Sequence, residues 1–233
     1  MLALAIILIF TLGNLLDPSV RPLVMGATFG IALTLVIIAG SELFTGHTMF
    51  LTLGVKAGTI SQGQMWAILP QTWVGNLLGS VFVALLYSWG GGGLLPVDTS
   101  LVHTVALAKT SQSAMALFFK GALCNWLVCL AIWMAIRTEG AAKFIAIWWC
   151  LLAFIASGYE HSVANMTLFA LSWFGHHSDA YTLAGIGHNL LWVTLGNTLS
   201  GVVFMGLGYW YATPQSERPA PEKIKQSEAA ANN

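Results

Sequence analysis

Two carboxylates stand where a chain rarely keeps one. Gly40-Ser41-Glu42-Leu43-Phe44-Thr45 and Gly158-Tyr159-Glu160-His161-Ser162-Val163 each place a Gly-x-Glu inside an apolar run long enough to cross a membrane. Burying a carboxylate near the bilayer centre costs roughly 2.5–3.5 kcal/mol even on a lenient insertion scale, so such a residue faces a pore, a cavity or a partner. The second copy adds His161, and imidazole, with a reference pKa of about 6.5, is the side chain best suited to hold and release a proton near neutral pH. A histidine beside an acid in a helix break is a candidate proton relay; taken alone in an apolar span it reads as a hydrogen-bonded packing residue. Glu42 and Glu160 have a plain reading too, as braces for the N–H groups freed by their own loops.

The elements that must position these residues are membrane spans. With 57% hydrophobic and only 8% charged residues and a mean hydropathy of +0.75, the chain is too apolar for a soluble core inside a solvated surface. The expected fold class is an all-α polytopic membrane protein. Runs approaching or exceeding the spanning length of about 20 residues lie at about Leu2–Leu16, Leu23–Val55, Met65–Trp89, Met115–Ile136, Phe144–Leu171 and Ile186–Ala212. The first is short. The second and fifth are too long for one straight helix and are predicted to break at their Gly-x-Glu, with second half-helices starting near His47 and Val163.

Lysine and arginine placement orients the spans. Lys56, Arg137 and Lys143 fall in connections on one side with Arg218, Lys223 and Lys225 of the tail, while Trp173–Gly185 has neither residue type and the opposite side keeps Arg21 and Lys109. Both termini are therefore expected in the cytoplasm. The segment 213–233, with Pro214, Pro219, Pro221 and alternating charges, reads as a disordered tail behind a membrane domain over 1–212.

The chain also repeats internally. Val74-Gly75-Asn76-Leu77-Leu78-Gly79 resembles Leu195-Gly196-Asn197-Thr198-Leu199-Ser200, and the separation of the two Asn residues closely matches that of Glu42 and Glu160. Two three-span halves follow, about 1–90 and 114–212, and an odd number of spans inverts the second half. Inversion aims two half-helix N-termini at the midplane from opposite sides, a setting that favours an anion. Small residues in both copies are expected to let helices approach closely.

The zero formal charge offers no basic footprint for nucleic acid, and no Walker or Rossmann glycine loop appears. Cys124, Cys129 and Cys150 lie in apolar stretches without a Cys-x-x-Cys pair, so they read as core residues; no metal, cofactor or enzymatic activity is expected. The N-terminus lacks signal-peptide features.

Four segments carry a resemblance to the formate/nitrite transporter family. They are the Gly-Ser-Glu-Leu-Phe-Thr break, Lys-Gly-Ala-Leu-Cys-Asn-Trp-Leu-Val-Cys-Leu from Lys120 to Leu130, Ala-Ser-Gly-Tyr-Glu-His-Ser-Val-Ala-Asn-Met from Ala156 to Met166, and Val-Thr-Leu-Gly-Asn ending at Asn197. The resemblance implies an aquaporin-like fold with inverted repeats, a homopentamer in the bacterial inner membrane, one pore per protomer, and passage of small monovalent anions, nitrite first, with protons. It implies that His161 is the central pore histidine and Thr45 its hydrogen-bonding partner. Leu33, Leu43 and Val128, with Asn125 beside them, match a cytoplasmic constriction; Phe29, Phe44 and Phe154 match a periplasmic one. Lys109 matches an anion-attracting lysine, Glu160 the acid beside the histidine, and Asn165 and Asn197 braces of the broken helices. The family carries a longer start with a cytoplasmic helix, so a chain with only Met1–Leu16 before Asp17 is expected to be truncated or to begin at an internal methionine.

The expected mechanism is that His161 protonates the anion, because a bare charge in an apolar constriction is very costly. Formate or hydrosulfide is the alternative substrate in the same family; an intramembrane haem or metal protein using His47, His161 and His188 is the distant one, at poor spacing. Of the remaining candidates, His47 reads as capping or lining its half-helix, His188 as interfacial, His176 and His177 as a solvated loop pair, His103 as uninformative and Lys120 as a snorkelling side chain.

Overall fold

A computed structural model of the chain describes residues 1–96 and 99–218, and every regular element among them is helical. From residue 219 onward the expected disordered tail lies outside the described residues. Its first part does not: Gln215–Glu217 forms a short 3-10 turn, and the Arg218 guanidinium sits over the Trp210 ring.

Helix α1 (Leu2–Leu15) is short for a span, and a tight connection joins it to α2 (Arg21–Ile38). In that connection Asp17 Oδ1 accepts the Ser19 hydroxyl and N–H, which hold its carboxyl below the usual range, and Arg21 donates to the Leu16 carbonyl. Pro22, with its φ already helical and no N–H to lose, sits in the first turn of α2.

The long second run, Leu23–Val55, is divided into α2 and α3 (Phe44–Ala57); α4 (Gln62–Trp89) follows behind a Ser61–Gln64 capping box. An unexpected helix, α5 (Leu101–Thr110), precedes α6 (Ala114–Ile136). The fifth run is likewise divided, into α7 (Gly140–Ala156) and α8 (Ser162–Trp173). Helix α9 (Leu183–Leu199) then continues through a π-helical turn, Ser200–Leu207, into α10 (Gly208–Ala212). By length and hydropathy α2, α4, α6 and the run Leu183–Ala212 can cross a membrane, with α1 and α7 shorter apolar helices.

Both breaks are closed in the same way. Gly40 and Gly158 adopt φ of 70° and 67°, a left-handed conformation that costs glycine little. The next N–H reaches back five residues, Ser41 to Val36 O and Tyr159 to Phe154 O, which is the Schellman closure of a helix. The half-helices restart at Phe44 and Ser162. The first start is one turn earlier than the predicted His47, because its first N–H is satisfied by a side chain from another helix.

The main packings are α6 on α9, α2 on α7, α6 on α7, α1 on α2 and α4 on α8. Gly121 and Gly196 let α6 and α9 touch backbone to backbone: a Cβ at Gly196 would run into Phe118 O and Ala122 N, and one at Gly121 would come 2.8 Å from Val193 O. The first-repeat counterparts differ from expectation. Gly75 and Gly79 have no atom within 4 Å of an added Cβ and line a cavity instead of a helix contact.

Gly196→Ala should therefore overpack the α6–α9 crossing at a cost of about 1–3 kcal/mol and lower the thermal unfolding midpoint in detergent, while Gly75→Ala leaves it unchanged.

Candidate functional site

At the second break the backbone leaves α7, turns at Gly158 and enters α8 at Ser162. Asn197, fully buried on α9, pins that path: its Oδ1 accepts the Ser162 N–H at 3.0 Å, and its Nδ2 donates to Glu160 O at 3.1 Å and Gly121 O at 2.8 Å. Asn76 of α4 repeats the device at the first break, accepting the Phe44 N–H and donating to Glu42 O, both at 2.9 Å. The leading N–H of each half-helix is thus spent on an asparagine rather than left free for an ion.

His161 is 2% exposed and caps α8. Its Nδ1 accepts the Ala164 N–H at 3.1 Å, so the neutral ring carries its hydrogen on Nε2 and donates it to Thr45 Oγ1 at 3.1 Å. Thr45 is held from below. Its carbonyl accepts from Asn125 Nδ2, which also donates to Asn197 O at 2.7 Å, and Cys129 Sγ lies 3.5 Å away. Asn125 therefore ties the first half-helix to the span that pins the second.

Glu160 is buried, and its carboxylate turns away from the imidazole into a network of its own. Oε2 accepts Lys109 Nζ and Asn165 Nδ2, each at 2.7 Å; Oε1 accepts Gln112 Nε2 at 3.2 Å; and Gln112 Oε1 accepts Lys120 Nζ at 2.7 Å. A buried carboxylate is tolerable when paired and fully hydrogen-bonded in this way. Lys120 is accordingly no snorkelling surface residue, since Gln112 turns it inward. Asn189 completes the shell, accepting Asn165 Nδ2 at 2.8 Å and donating to Lys109 O at 3.0 Å, while His188 Nε2 lies 3.1 Å from Gln112 O.

Three cavities meet along this line. A first cavity of about 220 Å³ is lined by Arg21, Lys109, Tyr159, Phe154 and His161 among apolar residues, and Arg21 Nε is buried without a hydrogen-bond partner. A central void of about 10 Å³, near the minimum for a single water, is walled by Phe29, Leu33, Leu43, Val128, Phe154 and His161. A second cavity of about 220 Å³ is lined by Ser41, Glu42, Leu43, Asn76 and Ser80. His161 and Phe154 lie between the first cavity and the void, and Leu2 and Leu43 lie between the void and the second.

Residues matched to both constrictions thus line the same void. Phe29 and Phe154 pack edge to face at 5.5 Å, Phe154 stacks on His161 at 5.9 Å, and both share the void with Leu33, Leu43 and Val128. Phe44 lies elsewhere, in an apolar groove with Trp66, Trp73 and Leu190. Asn125 faces Thr45 and Asn197 instead of the void.

The other histidines have separate partners. His47 contacts Thr72 Oγ1 at 3.1 Å and pairs with the Glu42 carboxylate; His103 is buried against Ser172 Oγ and Leu95 O; His177 stacks on Trp173. Among the described residues no group of three or more His, Cys, Asp or Glu could hold a metal ion. Asn189 and Gln112 escaped sequence reading. A polar residue within the apolar run Ile186–Ala212 was the available signal for Asn189; Gln112, in a connection, gave none.

A model of the family described as formate/nitrite transporter matches residues 1–211. The chain is 92% identical over 230 residues to a protein named nitrite transporter NirC from Salmonella typhimurium, covering 99% of this chain and 86% of that one. It is similar to a solved structure titled FNT family ion channel, with TM-score 0.90 and 92% identity, covering 91% of this chain and 86% of the other. A solved pentameric formate channel with formate bound matches at TM-score 0.77 and 27% identity, covering 91% and 93%.

Asn197 is fully buried and makes three hydrogen bonds; Asn76 is half-buried and makes two. Each buried group left unpaired costs about 1–3 kcal/mol. Asn197→Ala should therefore lower the unfolding midpoint in detergent more than Asn76→Ala.

Proposed function

The chain belongs to the formate/nitrite transporter family, and from that premise we propose that it carries nitrite across the bacterial inner membrane as a weak acid, protonated at His161. The single observation that carries the reading is the near-closed void between His161 and Leu43, with a cavity on either side and two cations, Arg21 and Lys109, in the first. A void of that size admits no hydration shell, and an isolated charge crossing it unhydrated meets a prohibitive cost. A neutral acid does not.

In the proposed cycle Lys109 and Arg21 raise the anion concentration in the first cavity. His161 passes a proton to an anion oxygen, the neutral acid crosses the collar of Phe29, Leu33, Leu43, Val128 and Phe154, and it ionises again in the second cavity. The ring then takes a fresh proton from the first cavity, so one proton accompanies each anion. To act as donor, the ring must first bind a second proton at Nδ1, the atom that accepts the Ala164 N–H. An anion seated at the start of α8 can replace the ring as acceptor for that N–H, as helix N-termini do for anions generally. Anion binding and protonation are thereby linked.

The six-span topology with inverted halves, cytoplasmic termini and pentameric assembly complete the proposal. Its support is the matching closure of the two breaks, the paired asparagines, and the likeness to a pentameric channel. That channel's bound formate favours formate as the second reading; competition between formate and nitrite in one flux assay separates the two.

His161→Asn should retain the cap on Ala164, since Asn is a good N-cap, yet lose the titrating group. In proteoliposomes we expect folded His161→Asn to show strongly reduced nitrite flux at every pH between 5 and 8, and His161→Ala to lose stability as well. Wild-type flux with wild-type pH dependence in His161→Asn would overturn the proton role.

A further inference from the structure

The two breaks match closely at the backbone, but their carboxylates are neutralised by different chemistry. Five residues after Glu160 stands Asn165, and five after Glu42 stands His47; each approaches the Oε2 of its glutamate. At Glu160 the ion pair is completed by Lys109, a permanent cation. Among the described residues, the ion pair of Glu42 is with His47, which is charged only when protonated. The Glu42 side chain is 75% exposed and lines the second cavity, and Leu43 beside it is the wall of the central void.

Resting on the transport reading above, we propose that Glu42 and His47 form a selectivity element that sets the charge an anion meets at the second cavity. With His47 protonated, the pair is neutral. With His47 neutral, one uncompensated carboxylate stands at the mouth, and a charged cleft between low-dielectric walls concentrates its field on a passing ion. Imidazole is the side chain whose charge changes between pH 5 and 8. The element therefore admits weak-acid anions from that side when the local solution is acidic and opposes them when it is alkaline.

The surroundings leave this pair to govern the charge. The face of α4 against His47 supplies Thr72, and the sole ionisable side chain of α4, Tyr87, is four turns away. Helix α8 and the π-helical turn contain no ionisable side chain. On α6, Lys120 is engaged by Gln112, Cys129 by Thr45 O and Asn125, and Cys124 is buried; on α9, His188 is engaged by Gln112 O. Met1, Leu2 and Ala3 also line the same cavity.

The test is initial nitrite flux in proteoliposomes across pH 5.5–8 for the full chain and for His47→Gln, His47→Arg, Glu42→Gln and the double variant Glu42→Gln/His47→Gln. His47→Gln should be slower on the order of tenfold at acidic pH, at the low end of electrostatic focusing effects. His47→Arg should stay fast at alkaline pH, and both Glu42→Gln and the double variant should be fast throughout. A double variant as slow as His47→Gln would show that His47 acts structurally and overturn the proposal. So would His47→Gln that keeps the wild-type profile, which would assign the pH dependence to His161. Wild-type vesicles without nitrite flux would instead overturn the transport reading and this inference with it.

Discussion

A broken helix in hydrocarbon leaves backbone N–H and C=O groups with no water to bind, and the structure depends on how those groups are satisfied. Asn76 and Asn197 answer that constraint. Each reaches from a neighbouring helix, caps the first N–H of a half-helix and holds the carbonyl of the preceding glutamate. With the backbone fixed this way, the residues between glutamate and helix are free to differ. One break presents Leu43 and Phe44; the other presents His161 and Ser162. An apolar wall and a proton-binding wall thus arise from one backbone device, and the void lies between them.

Charge is distributed by the same logic. Glu160 is the buried anion, surrounded by Lys109, Asn165 and the Lys120–Gln112 relay, so the site beside His161 holds more positive than negative charge. That surplus faces a cavity ending at the imidazole. Glu42 remains at the rim with a titratable partner. The two halves therefore present an anion with different electrostatics on the two approaches, although their backbones are closed alike.

Much of this was legible in residue type and spacing. The costly Gly-x-Glu marked both breaks, the family resemblance pointed to Asn197 as a brace, and hydropathy set the helical class. What the sequence concealed depends on contacts distant along the chain. The start of α3 at Phe44 rather than near His47 follows from an acceptor on α4, which no local capping residue signals. Lys120 reads as interfacial until Gln112, eight residues earlier, folds back on it. Helix α5 carries His103 and Lys109, whose polarity kept it below the spanning pattern, yet it delivers the cation that pairs with Glu160. Phe44 matched a constriction by motif, but the turn that begins α3 directs it to a groove between α4 and α9.

The central claim is that the permeating species is neutral at the void. The most direct measurement is the charge and proton carried per nitrite, read in proteoliposomes with the membrane potential clamped and internal pH followed alongside nitrite uptake. The account predicts one proton per nitrite and a flux indifferent to potential. Nitrite entry that accelerates with an inside-positive potential and leaves internal pH unchanged would contradict it.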